Sequence, residues 1–300
     1  MNIVYFDDFV VVAVKPYGVL SASGNSNDDM ISLLKKETSK EIYPVHRLDR
    51  TTGGLMVFAS SKESAAELSK QISEHSFCKE YLAAAKGETE NIKGQMNDIL
   101  FFDRFKNKSY TVKKERKGAK PASLEFEKLE SENTGGYKAS LYRIKLYTGR
   151  THQIRVQFAS RGMPLLGDRR YGSDFKADNI ALWSYKIGFI NPGNKIYSEF
   201  ESKPENDVFL RFIGVWLDFG ASLREKRPTR SPAPSFSDSC PLKKGFACAK
   251  PFGKRFNRWR SLFCGCSQST GRAGCGRSCR GCCPRARCAA APSWCRCSQR

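Results

Sequence analysis

The sequence predicts an α+β domain built on a mainly antiparallel sheet, and three patterns predict it. FVVVAVKP is rich in β-branched residues and stops at Pro16, as a strand entering a turn does. Leu55 to Ala59 (LMVFA) is a short unbroken apolar run suited to a buried strand. LEFEKLE and LYRIKLYTG alternate: Tyr142, Ile144 and Leu146 take one side, Arg143, Lys145 and Tyr147 the other. Helices fall between such segments. Met30 to Lys36 is short and amphipathic. Ser60-x-x-Glu63 has the form of a capping box, and Ala65, Leu68 and Ile72 then recur at helical spacing, so a helix is expected from about Lys62 to Glu74. KEYLAAAKG reads as a strand, and Tyr110 and Val112 mark another inside the basic stretch from Arg104 to Gly118. THQIRVQFASRG reads as a helix with Ile154 and Phe158 on one face, and MPLLGDRRYGS as a loop.

Charge and cysteine divide the chain in two. Residues 221–300 carry 18 Lys and Arg against 2 Asp and Glu, which leaves 33 and 28 of the chain's 51 and 30 for residues 1–220. The body is therefore only mildly basic, as suits an enzyme with a local basic groove. Eleven of the 12 cysteines lie between Cys240 and Cys297; only Cys78 lies in the body. A body with one cysteine is not built on disulfides, which points to the cytoplasm. The N-terminus MNIVYFDDFVVVAVK is acidic where a signal peptide would be basic, and no apolar run reaches membrane-span length.

Two polar segments could carry chemistry. In His46-Arg47-Leu48-Asp49-Arg50, followed by Thr51-Thr52-Gly53-Gly54, one acid sits between two arginines just before a buried strand. Flanking cations favour the ionised carboxylate, and a carboxylate held by a scaffold can be a nucleophile. On residue types alone, a surface ion pair in a turn is the simpler reading. In Thr148-Gly149-Arg150-Thr151-His152-Gln153-Ile154-Arg155, Gly149 permits a turn into a helix whose start is dense in donors, where anions bind. A solvated polar helix face explains that segment equally well.

Taken together, HRLDRTTGGLMVFA, KEYLAAAKG and TGRTHQIRVQFASRGMPLLGDRRYG closely resemble the RluA family of RNA pseudouridine synthases, in this order and spacing. VVAVKPYGVLSASG resembles the family's opening segment and KGAKPASLEFEKL its middle strand, so the resemblance runs from about Phe6 to about Phe212. Two departures stand out: Gly53 where the family usually has Ser, and Gln157 where it has His or a similar residue. The S4 RNA-binding domain that often precedes this catalytic domain is not expected here.

The resemblance implies a catalytic domain over residues 1–219: a mixed, mainly antiparallel sheet with flanking helices and an RNA-binding cleft. It implies isomerisation of uridine to pseudouridine in ribosomal or transfer RNA by a monomer, with no cofactor and no metal. Asp49 would be the nucleophile, attacking either the uracil ring or the ribose anomeric carbon. Arg155 would pair with it, and Tyr81 would stack on the target base near the C5 proton. Arg47 would help occupy the space left by the extruded base. His46, Arg50, Lys15, Arg150, Gln153, Arg169 and Arg170 complete the expected RNA-binding set, with Lys15 and the Arg169–Arg170 pair favoured for phosphates.

Residues 220–300 lack apolar periodicity and are crowded with Pro, Ser, Arg, Gly and Cys. Three explanations compete: an out-of-frame GC-rich reading, which is preferred; a disordered basic RNA-binding arm; and a zinc module on Cys264-x-Cys266, Cys279-x-x-Cys282 and Cys295-x-Cys297, which lacks His and regular spacing. Two rival functions bear on the body. An RNA-binding protein of the same fold without turnover is disfavoured by intact Asp49, Tyr81 and Arg155. An Asp-dependent hydrolase is disfavoured because no motif supplies a second carboxylate for Asp49.

Overall fold

The structure, a computed structural model, describes residues 1–22, 29–114, 116–134, 137–204 and 206–212. All of these belong to the first of the two units into which the chain divides, Met1–Ser235. The expectations for residues 220–300 lie outside the described residues.

Among the described residues eleven strands join in one sheet. Its order is β1 (Ile3–Phe6), β2 (Val10–Lys15), β4 (Gly53–Ala59), β10 (Leu182–Ile190), β5 (Cys78–Lys86), β9 (Tyr137–Leu146), β8 (Ala119–Thr134), β6 (Lys93–Asp103) and β7 (Lys108–Val112). β3 (Tyr43–Pro44) adds to β4, and β11 (Tyr197–Glu201) to β10. β4 and β10 run parallel; the other pairs are antiparallel. The mixed, mainly antiparallel sheet is the one expected.

Helices cover both sheet faces, which is why β2 and β4 are apolar without alternation. Val10, Val12, Leu55 and Val57 share one face with Leu68 of α2 (Lys62–Ser73) and with Phe209 of the short α4 (Asp207–Leu210). Val11, Ala13, Met56 and Phe58 share the other with Met30 and Leu34 of α1 (Met30–Thr38) and with Ile154 and Phe158 of α3 (Gln153–Ala159). The Asp29 carboxylate caps α1 by accepting from Ser32 N–H at 3.0 Å. The cap of α2 lies one residue beyond the expected box: Ser61 Oγ accepts from Ser64 N–H at 3.1 Å.

The segment expected as a plain loop, MPLLGDRRYGS, is partly built in. Leu165 bridges to Ala85, Arg169–Tyr171 forms a 3₁₀ turn, and Leu165, Leu166 and Asp168 are buried.

The departure at Gly53 has a steric cause. A Cβ there would stand 2.4 Å from the Trp183 ring, and at Gly54, where φ is +111°, 2.4 Å from the Ser184 carbonyl oxygen. Trp183 is itself fixed, its indole N–H donating to Ser202 O at 2.8 Å. Gly53→Ser is expected to destabilise the protein by about 1–3 kcal/mol, the usual penalty for overpacking. Urea unfolding measures it, and a serine variant as stable as the parent would contradict the packing argument.

Candidate active site

The Asp49 loop precedes β4 and is pinned from beneath. Ser21 Oγ donates to Leu48 O at 2.7 Å and accepts from Leu48 N–H at 3.0 Å. Thr52 N–H closes a turn onto Asp49 O at 3.0 Å, and Gly18 N–H donates to Arg50 O at 2.8 Å. These bonds leave the Asp49 carboxylate at the rim of a cleft, its side chain 19 % exposed.

Across the cleft, α3 brings Arg155 to Asp49. Arg155 is buried, and its Nη1 lies 3.3 Å from Asp49 Oδ2. The same guanidinium grips Asp168 with two bonds, Nε to Oδ2 at 2.7 Å and Nη2 to Oδ1 at 2.8 Å. Burial opposes the charge on Arg155, but the Asp168 hydrogen bonds and charge, and then Asp49, outweigh it and hold its pKa above the ordinary value. One cation thus stands between two carboxylates. Asp168 has both oxygens committed to Arg155, so it is not a free acid or base of the hydrolase kind.

His152, at the start of α3 with φ +54°, is the second group facing Asp49, its Nε2 3.6 Å from Oδ2. Its Nδ1 lies 3.0 Å from the Tyr171 hydroxyl, which accepts from Ser109 N–H at 2.8 Å. Burial lowers the His152 pKa against the pull of Asp49. Tyr171 also lays its ring 5.0 Å from the Arg155 guanidinium carbon. These contacts from Arg155 and His152 both fall on Oδ2; among the described residues Oδ1 takes no such contact.

Tyr81 enters from β5, in the middle of the sheet, and lines the same cleft, together with Arg47, Arg150 and Leu182. Burial raises its pKa, and the Asp49 charge raises it further, so its hydroxyl keeps its proton.

The structure redraws the expected RNA-binding set. Arg47 is exposed on the cleft. Arg50 is exposed, with Nε on Gly18 O at 2.8 Å. Arg150 lines the cleft with Nε on Pro121 O at 2.9 Å. Arg169 and Arg170 line an adjoining cavity with Thr51, and Arg155 lines both. Lys15 does not reach a phosphate surface. It is fully buried, and its ammonium donates to Pro16 O and Val19 O at 2.9 and 2.7 Å. That ammonium braces the loops under Asp49, and burial lowers its pKa to about 8. Gln153 is also withdrawn: Nε2 donates to Ser123 O at 3.1 Å, while Oε1 accepts from Thr148 Oγ1 and Arg150 N–H.

His46 is an internal acceptor, its Nε2 receiving Val57 N–H at 3.1 Å. Burial, and then the Lys79 charge, lower its pKa to about 3. The unfolded chain, with an ordinary histidine, binds more protons between pH 6.5 and 3, so stability falls as pH falls through that window. With allowance for partial exposure, the loss is expected at about 2–4 kcal/mol. His46→Gln should flatten that part of the stability–pH curve, measured by urea unfolding. An unchanged slope would show that His46 is not responsible.

Comparisons with known proteins show the family. The family model described as RNA pseudouridylate synthase matches residues 9–160. The chain belongs to the RNA pseudouridylate synthase family. This synthase is 32 % identical over 211 residues to the dual-specificity RNA pseudouridine synthase RluA of Pasteurella multocida, covering 68 % of this chain and 93 % of that one. It is 33 % identical over 216 residues to the ribosomal large subunit pseudouridine synthase D of Borreliella burgdorferi, covering 67 % and 64 %. The RluA-type assignment rests on such relatives. The solved structure of human RNA pseudouridylate synthase domain containing 1 superposes with a TM-score of 0.58 at 22 % identity, over 68 % of this chain and 83 % of that one, and shows the shared fold.

Three residues of the synthase's site escaped the sequence patterns in these roles: Asp168, Tyr171 and His152 as a neighbour of Asp49. One local signal did exist. Asp168 is a lone acid between an apolar PLLG stretch and two arginines, a placement that suits a buried charge more than a loop.

Proposed function

We propose that this RluA-type synthase isomerises uridine to pseudouridine in ribosomal or transfer RNA, with Asp49 as nucleophile. The observation that carries the assignment to Asp49 is the placement of its carboxylate: it lines the cleft, Arg155 and His152 both address Oδ2, and among the described residues Oδ1 takes no such contact. A carboxylate anchored through one oxygen presents the other for attack. Attack on the target nucleotide, at the uracil ring or the ribose anomeric carbon, leads to breakage of the N1–C1′ bond. The base turns, C5 bonds to C1′, the bond to Asp49 breaks to return the carboxylate, the C5 proton leaves and N1 takes up a proton, so that substrate and product have the same composition. Tyr81 stacks on the base near that proton as a neutral phenol. Arg47, exposed at the cleft mouth, fills the gap left when the target leaves its stack.

The relative named for the ribosomal large subunit supports ribosomal RNA as a substrate class, and the one named for dual specificity supports action on more than one RNA target. The enzyme acts as a monomer in the cytoplasm; among the described residues no helix is long and apolar enough to cross a membrane. Incubation of the purified protein with RNA carrying 5-tritiated uridine tests the activity. Release of tritium with appearance of pseudouridine is expected; RNA of unchanged nucleoside content would refute the proposal.

A further inference from the structure

The net positive charge of the body is concentrated in one place. Residues 103–117 hold seven Lys and Arg against two acids, an excess of five that equals the excess of the whole of residues 1–220, 33 against 28. Residues 103–112 of this segment form the turn and returning strand of the β6–β7 hairpin, at the sheet edge, with Arg104, Lys106 and Lys108 among them; Lys113, Lys114, Arg116 and Lys117 follow in sequence. Lysines on an edge strand guard against unwanted strand pairing, and that accounts for charge along β7. It does not account for the tip.

At the tip, Phe105 is fully exposed, between Arg104 and Lys106. Ile92, next in exposure among the described large apolar side chains, is 63 % exposed. The turn that presents Phe105 is held from two sides. Asp103 Oδ1 accepts from Phe105 N–H and Lys106 N–H at 3.0 and 3.1 Å. Arg170 Nη1 donates to Lys106 O and Asn107 O, each at 3.1 Å. The stem is fastened to the wall of the active site. Ser109 N–H donates to the Tyr171 hydroxyl at 2.8 Å, and Ser109 Oγ to Thr151 O at 2.5 Å. A bare aromatic ring on a tethered turn, flanked by cations and anchored beside the catalytic residues, suits a base with phosphates on either side.

We infer that the hairpin tip is a contact for unpaired nucleotides of the substrate RNA, with Phe105 stacking on a base and Arg104 and Lys106 on the adjoining phosphates. This rests on the reading of the chain as an enzyme acting on RNA, and it goes beyond it by assigning a stacking residue outside the catalytic cleft.

Binding of the full chain to a fluorescent oligouridine, and to an RNA duplex, tests it. The charged tail is common to every variant and cancels in the ratios. Phe105→Ala is expected to weaken oligouridine binding about tenfold, in line with the loss of one stacked base, with little change for duplex. Phe105→Trp should restore affinity, and its fluorescence should be quenched by the oligonucleotide. Arg104→Ala and Lys106→Ala should each lower the salt dependence by about one charge, which Phe105→Ala should leave alone. Wild-type affinity in Phe105→Ala, or equal losses on single strand and duplex, would overturn the stacking role. So would a change from dimer to monomer on sedimentation with RNA affinity intact, which would assign the ring to a second copy. If Phe105→Ala binds normally while the wild type still makes pseudouridine, this inference alone fails. A wild type that binds oligouridine without making pseudouridine fails the catalytic reading instead.

Discussion

Asp49→Ala is expected to lower pseudouridine formation by a factor on the order of 10⁴ or more while leaving the fold intact. The size follows from the kind of step: a covalent nucleophile has no substitute in the site, and deletion of such groups removes most of the rate. Asp168 holds both of its bonds to Arg155 when Asp49 is gone. Arg155 is therefore not left buried without a partner, and the stability change should stay below about 1 kcal/mol. Single-turnover assays with saturating enzyme, alongside urea unfolding, separate the two effects. A variant within tenfold of wild type would remove Asp49 from the chemistry; one that fails to fold would show the loop to be structural.

Asp168→Ala should do the reverse and damage stability first. It strips two short charged hydrogen bonds from a buried guanidinium and leaves it, among the described residues, the 3.3 Å contact to Asp49 and the Tyr171 ring. Breaking one side of a buried ion pair costs about 3–5 kcal/mol. Turnover should fall too, because Arg155 is then free to swing fully onto Asp49 or away from it. Asp168→Asn refines the test by keeping the shape and removing the charge. The Arg155 charge then bears on Asp49 alone, so single-turnover rates should change in Asp168→Asn by more than the stability does. Wild-type turnover in Asp168→Asn, or an Asp168→Ala variant as stable as the parent, would contradict the shared-cation account.

Local patterns carried the sequence a long way. β2, β4, α1, α2 and α3 each owe their form to neighbours in sequence: β-branched runs, caps, apolar residues four apart. β10 has no such signature. Its apolar run is interrupted by Lys186 and Gly188, and its place between β4 and β5 depends on partners about a hundred residues away. The same limit governed the site. Arg155 and Asp49 could be joined through the family resemblance, but no spacing rule joins Asp168 to Arg155 across 13 residues of helix end and turn. Lys15 and His46 misled for a related reason. His46 sits in a polar segment that looks solvated, and only the tertiary position of Val57 N–H turns it into an internal partner; Lys15 closes an apolar strand, and its ammonium folds back onto the nearby Pro16 and Val19 carbonyls and toward Arg50 O of the Asp49 loop.

Mapping pseudouridine at nucleotide resolution across total RNA from a strain deleted for the gene tests the central claim most directly. The account predicts that at least one uridine in ribosomal or transfer RNA loses the modification on deletion, regains it with the wild-type gene and stays unmodified with Asp49→Asn. Identical maps with and without the gene, or full restoration by Asp49→Asn, would contradict it.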